Sequence, residues 1–139
     1  MKRLYLDSNV FISLAKREMD FNFRGLFIEA EQFFEKAKEN KDILILSSHT
    51  IKEIRAKILW TNEEIIALLQ KGNLVELIKI QETDYEKALF ISKKGIHFED
   101  AMHVALAIKA KCDCIITFNK KDFEVTQDLI PAEEPLLFS

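Results

Sequence analysis

Three short apolar runs, Leu4-Tyr5-Leu6, Ile43-Leu44-Ile45-Leu46 and Cys114-Ile115-Ile116-Thr117-Phe118, punctuate the chain, and Leu74 to Ile80 has the same strand character. The first three do not alternate with polar residues, so both faces of those strands must be covered. Helical stretches fill the gaps. Leu26, Ala30, Phe33 and Ala37 recur at helical spacing, as do Ile51, Ile54 and Ile58, and later Ala101, Val104, Ala105 and Ile108. Thr61 and Glu64 have capping-box spacing and open a helix running to Gly72; Thr83 and Glu86 repeat that spacing before a helix ending near Gly95. Strand joined to strand through helices is the signature of parallel pairing. The expected fold is α/β: three layers, with a central parallel sheet covered by helices on both faces, in one domain spanning residues 1–139.

Composition supports a packed core, since 48% of the residues are hydrophobic and eleven are Phe. No apolar run reaches membrane-spanning length, and the opening MKRLYLDSNVF lacks the apolar stretch of a signal peptide. Cys112 and Cys114, two residues apart, read as buried thiols on one side of one strand, too close for an easy bridge and too few for a zinc site. These features lead to the expectation of a cytoplasmic protein without a membrane partner. A net charge of −3 sits awkwardly with nucleic-acid binding, unless bound cations offset a local concentration of acids.

The acids have a pattern. Asp7 follows the first strand and Asn119 follows the fourth, and ligands of parallel sheets bind beyond the carboxyl ends of strands. Glu53 lies one turn into a helix, off its apolar stripe. Asp100 opens another helix beside Glu99, with His103 three residues on, and Asp122 lies in the loop after Asn119. Each has an ordinary alternative: Asp7 and Asp100 as N-caps, Glu53 as the partner of Thr50 in a capping box, Asn119 and Asp122 as turn formers, His103 as a packing residue.

Taken in order, the motifs resemble those of the PIN domain, the nuclease fold that includes the VapC-type toxins. They are Leu6-Asp7-Ser8-Asn9-Val10, Ser47-x5-Glu53-Ile54, Asp100-Ala101-x-His103-Val104-Ala105 and Ile116-Thr117-x-Asn119-x-x-Asp122-Phe123, with Pro131-Ala132-Glu133-Glu134 resembling the family's C-terminal stretch. The resemblance implies strand order 3-2-1-4-5 and an acidic pocket at the strand ends. It makes Asp7, Glu53 and Asp100 the core catalytic and metal-binding acids, with Asn119 or Asp122 completing the site. Many relatives carry Asp where this chain has Asn119. The implied cofactor is Mg²⁺ or Mn²⁺, hard cations that prefer oxygen ligands. The implied reaction is hydrolysis of single-stranded RNA by metal-activated water, leaving a 5′-phosphate and a 3′-hydroxyl. A cognate antitoxin and a homodimer are the implied protein partners. Ser8, Asn9 and Thr117 are candidates to orient the acids.

Two rivals remain open. A catalytically weak PIN-like module would bind RNA or protein without cutting. A haloacid-dehalogenase-like phosphatase would use Asp7 as nucleophile, although that chemistry wants an acid where Asn9 stands. Among the basic clusters, Lys120-Lys121 and Arg55 flank the motif acids and are candidates to meet phosphates. Lys93-Lys94, Lys57, and Lys109 with Lys111 read as solvated faces, and Trp60, Phe21 and Phe23 as core or interface residues rather than base-stacking ones.

Overall fold

The computed structural model describes residues 1–138. Five strands form one sheet: β1 (Arg3–Leu6), β2 (Ile43–Ser47), β3 (Leu74–Ile78), β4 (Cys114–Ile116) and β5 (Ala132–Glu133). Their order is β3-β2-β1-β4-β5 and every pairing is parallel. The expected three-layer α/β architecture is therefore the observed one, and the Pro131-Ala132-Glu133-Glu134 stretch supplies the fifth strand.

Side-chain alternation sorts the core into two layers. Leu4, Leu6, Leu44, Leu46, Cys114 and Ile116 project to one face, where α1 (Ser8–Lys16), α2 (Leu26–Asn40), α3 (Ser48–Lys57) and α4 (Asn62–Gln70) contribute Val10, Phe11, Phe33, Ile54 and Ile65. Tyr5, Ile45 and Ile115 project to the other face, against Ala88 and Ile91 of α5 (Glu82–Ser92) and the small residues Ala101, Ala105 and Ala107 of α6 (Phe98–Lys109). Central strands carrying apolar residues on both sides are thus fully used. The edge strand β3 is more exposed and carries Glu76, paired to Arg3, a charged edge of the kind that discourages further strand addition.

The connections from β1 through β2 to β3 leave one side of the sheet's centre, and the chain returns to the other side of β1 as β4. The strand order therefore reverses beside β1, which opens a crevice at the carboxyl ends of β1 and β4.

Local details depart from the sequence reading in four places. The capping side chain of α3 is Ser47, which accepts from the Thr50 N–H at 3.0 Å, so Thr50 and Glu53 form no capping box. At α5 the Gln81 N–H donates to Asp84 at 2.7 Å, two residues earlier than the Thr83–Glu86 spacing suggests. Buried Asp84 also receives Lys109 at 2.8 Å, which favours this start over the exposed alternative. His97, rather than Asp100, occupies the N-cap position of α6. Finally, β4 begins at Cys114, leaving Cys112 in the preceding turn; burial pushes both thiols up to about 12, so they are inert. Gly95 adopts φ +100° just beyond α5, a conformation that favours glycine.

Candidate active site

Asp7 is both a cap and part of a cluster. Its Oδ1 accepts from the Ser8 N–H at 2.7 Å, starting α1, while Oδ2 accepts from the Thr117 hydroxyl at 2.7 Å and the Asn9 amide at 3.3 Å. Asn9 closes the loop, since its Oδ1 accepts from the Phe118 N–H at 3.1 Å. The Asn119 N–H donates to Thr117 Oγ1 at 3.0 Å. The first and fourth motifs are thereby tied across the crevice by side chains that have no other role in the sheet.

Glu53 does not cap its helix. It meets His103 of α6 at 2.7 Å, and His103 Nε2 also lies 3.4 Å from Asp7. The other ring nitrogen of His103 is 2.7 Å from the Tyr5 hydroxyl, itself 2.7 Å from Ser47 Oγ. One proton arrangement satisfies every group in this chain. The Leu6 carbonyl can only accept, so Thr50 Oγ1 donates to it at 3.0 Å. Ser47 Oγ then donates to Thr50 Oγ1 at 3.1 Å, and the Tyr5 hydroxyl donates to Ser47. In it Tyr5 accepts from His103 Nδ1–H while His103 Nε2–H faces the Glu53 carboxylate, which puts a proton on each nitrogen of the fully buried ring.

The charge shifts agree with that assignment. Burial alone would lower the His103 pKa, but Tyr5, the Glu53 hydrogen bond and the charges of Asp7 and Glu53 outweigh it and hold the pKa well above the ordinary value. Glu53 is raised by burial and pulled down further by His103 and His49, ending below its usual range. His49 moves the opposite way from His103: burial and the neighbouring imidazolium lower it. The two rings lie 4.5 Å apart, and neutral His49 donates from Nε2 to the Glu99 carbonyl at 3.1 Å.

Asp100 is pushed up to about 6, first by burial and then by the negative charge of Asp7, with Asp122 and Glu53 adding to it and His103 opposing. Four of the five residues expected at the site therefore share one electrostatic neighbourhood. Asn119, the fifth, is exposed at the rim and contributes its backbone N–H; Asp122, whose N–H donates to the Asn119 carbonyl at 2.9 Å, is the fourth-motif residue whose charge reaches Asp100. His49 and Tyr5 escaped the sequence reading as site residues, whereas Ser47 was part of the second motif. One signal was available for His49: the chain has three His, and two of them sit four residues before Glu53 and three after Asp100.

Asp7, Asp100 and Asp122 carry the oxygen donors a hard divalent cation prefers, and burial with the charges of its neighbours raises Asp100, a strain that a cation would relieve. His49, Glu53 and His103 also lie within 4.8 Å of one another. Within that trio His103 pairs with Glu53 at 2.7 Å.

An acid crevice at the reversal point of a five-stranded parallel sheet defines a class, and the comparisons agree with it. The PIN domain profile matches residues 3–121, and the chain belongs to the PIN domain family. No curated protein matches the sequence. Solved structures share the fold at low identity. A toxin–antitoxin complex from Klebsiella pneumoniae is 21% identical with a TM-score of 0.63, covering 95% of this chain and 97% of that one. VapBC2 from Rickettsia felis, bound to a promoter DNA fragment, is 13% identical with a TM-score of 0.63, covering 95% and 98%. VapC20 from Mycobacterium tuberculosis, a sarcin–ricin loop cleaving toxin, is 13% identical with a TM-score of 0.60, covering 90% and 94%.

Proposed function

We propose that this protein is an endoribonuclease of VapC type that hydrolyses single-stranded RNA with Mg²⁺ or Mn²⁺. The observation that supports the reading is the coupling of Asp100 to Asp7, Asp122 and Glu53, which together with burial raises Asp100 to about 6. A bound divalent ion supplies positive charge against the phosphodiester and lowers the pKa of an attacking water. Asp7 and Asp100 would hold it, with Asp122 and Asn119 at the fourth position. Glu53 has one oxygen committed to His103, which suits it to a water-mediated place or a second ion. Thr117 and Asn9 fix the Asp7 carboxylate, so little reorganisation is needed when the ion and phosphate arrive.

RNA as substrate is supported by likeness to a toxin that cleaves the sarcin–ricin loop, and a small antitoxin partner by likeness to toxin–antitoxin complexes. Assembly as a homodimer belongs to the same proposal. The test is incubation of single-stranded RNA with purified protein and Mn²⁺, beside a chelator control and Asp7→Asn. Metal-dependent cuts bearing 5′-phosphate and 3′-hydroxyl ends, lost in the variant, are expected. Cleavage unaffected by chelator or by the variant contradicts the proposal.

One observation favours a second reading, a binding module that does not cut. The fourth motif presents neutral, exposed Asn119 at the rim. That reading predicts RNA retention without cleavage at any Mn²⁺ concentration.

A further inference from the structure

Residues 19–25, between α1 and α2, form a tight hairpin that the acid crevice does not use. Met19 bridges Gly25 in antiparallel fashion, and the Asp20 N–H donates to the Arg24 carbonyl at 3.0 Å. The Asp20 carboxylate accepts from the Asn22 and Arg24 N–H groups, each at 2.9 Å. The Phe23 N–H donates to the Asp20 carbonyl at 2.9 Å, closing a turn in which Phe23 takes φ +62°. Three-residue hairpins place a left-handed residue at this point, and glycine is its natural occupant. Here it is a phenylalanine.

That ring gains nothing from burial. Phe23 is 81% exposed and Phe21, two residues before it, is 90% exposed. A bulky residue kept where glycine is favoured, and held in water, points to a task outside folding. Trp60 differs, because it packs edge-on against Phe11 with 5.6 Å between ring centroids.

The hairpin is closed by its own hydrogen bonds, and its base lies near Phe118 of the fourth motif. Arg24 makes a two-pronged pair with Glu29 at 2.5 and 2.8 Å and lies 3.7 Å from Glu134. Its guanidinium is 6.0 Å from the centre of Phe118, the residue between Thr117 and Asn119. At the hairpin's other root, Arg17 lies over Phe27 at 4.6 Å. Two exposed aromatic rings on an arm whose root lies beside the fourth motif suit a strand that presents unpaired bases.

We propose that this hairpin is a stacking platform, on which Phe21 and Phe23 receive unpaired bases of the RNA strand entering the crevice. The inference rests on the nuclease reading and adds to it a grip on substrate remote from the acids. It selects single-stranded over duplex RNA, since paired bases expose no face to the rings, and it tolerates sequence because every base has one.

The test is fluorescence anisotropy in chelator, so that no strand is cut, using a short oligoadenylate and an abasic ribose-phosphate strand of equal length. Phe23→Gly removes the ring while giving the turn its favoured residue, so its melting temperature should not fall. Phe21→Ala removes the other ring from a fully solvated position. Each variant is expected to weaken oligoadenylate binding by roughly 5-fold or more, the low end of base–aromatic stacking. Both should bind the abasic strand as wild type does. Unchanged oligoadenylate affinity in both variants overturns the inference, and loss of self-association by sedimentation in its place reassigns the hairpin to protein contact. If variants bind unchanged while wild type still cuts RNA with Mn²⁺, only the platform is lost. If wild type neither binds nor cuts RNA, the nuclease reading falls and the platform with it.

Discussion

His103 is a cation that the protein cannot easily discharge or remove. It neutralises Glu53, lies beside Asp7 and terminates a polar chain that begins at the Leu6 carbonyl. Replacing it leaves a part-buried carboxylate and a buried tyrosine hydroxyl without their partner, so His103→Ala should cost about 2–4 kcal/mol in urea unfolding at neutral pH. A loss under 1 kcal/mol would contradict the buried ion pair. Asp100 makes the opposite contribution. In the unfolded chain its carboxyl titrates near 3.8, and in the fold near 6, so between those values the folded state keeps a proton the unfolded state has lost. Stability contributed by this group therefore falls as pH rises from about 3.8 to about 6 and stays low above that. Glu53 runs the other way, its contribution being lost as pH falls below its ordinary 4.5, so the comparison with Asp100→Asn isolates the effect. The variant should exceed the metal-free wild type at pH 7 by about 1–2 kcal/mol after allowance for solvent screening, with the difference vanishing below pH 4. A variant less stable than wild type at pH 7 would show that Asp100 is not under electrostatic pressure.

At the scale of elements, α3 is the informative one. Its N-cap Ser47 also belongs to the polar chain, so one hydroxyl starts the helix and orients Tyr5 toward His103. Ser47→Ala should cost about 1–2 kcal/mol, whereas Glu53→Gln, if the helix owes it no cap, should leave the helical far-ultraviolet signal unchanged. Loss of that signal in Glu53→Gln would restore the capping reading. The error of placing a box at Thr50 and Glu53 has a physical cause: hydroxyl and carboxylate at i and i+3 recur in any polar helix start, and the sequence does not say which residue has the extended backbone a cap requires. The same ambiguity displaced the start of α5, where Gln81 is an uncommon cap residue and Asp84 is fixed by distant Lys109. The strands were easier to read, because a continuous apolar run such as Ile43–Leu46 has few alternatives in a small domain.

For the whole molecule, sheet order and the position of the crevice were legible from the succession of elements and the four motifs. Asp7 and Asp100 were legible because they sit at element boundaries. Tyr5, His49 and the imidazolium state of His103 were not, since their partners lie far along the chain: Tyr5 meets His103 98 residues on, and His49 meets Glu99 50 residues on. Of the core and interface roles read for Phe23, its exposure excludes the core, and neither that exposure nor the left-handed backbone leaves a mark on composition. The balance of charges has a global consequence. With one buried imidazolium against several acids, the folded metal-free protein carries uncompensated negative charge at the crevice, and a divalent cation that binds only the folded state must raise its melting temperature. Added Mn²⁺ should stabilise wild type and leave Asp7→Asn little changed. Equal shifts in both would place the binding elsewhere.

The most direct measurement is a crystal soaked in Mn²⁺ and examined by anomalous diffraction. A peak bounded by carboxylate oxygens of Asp7 and Asp100, with His103 still paired to Glu53, is the predicted result. A peak coordinated by His49 and His103, or none within the crevice, would contradict the account.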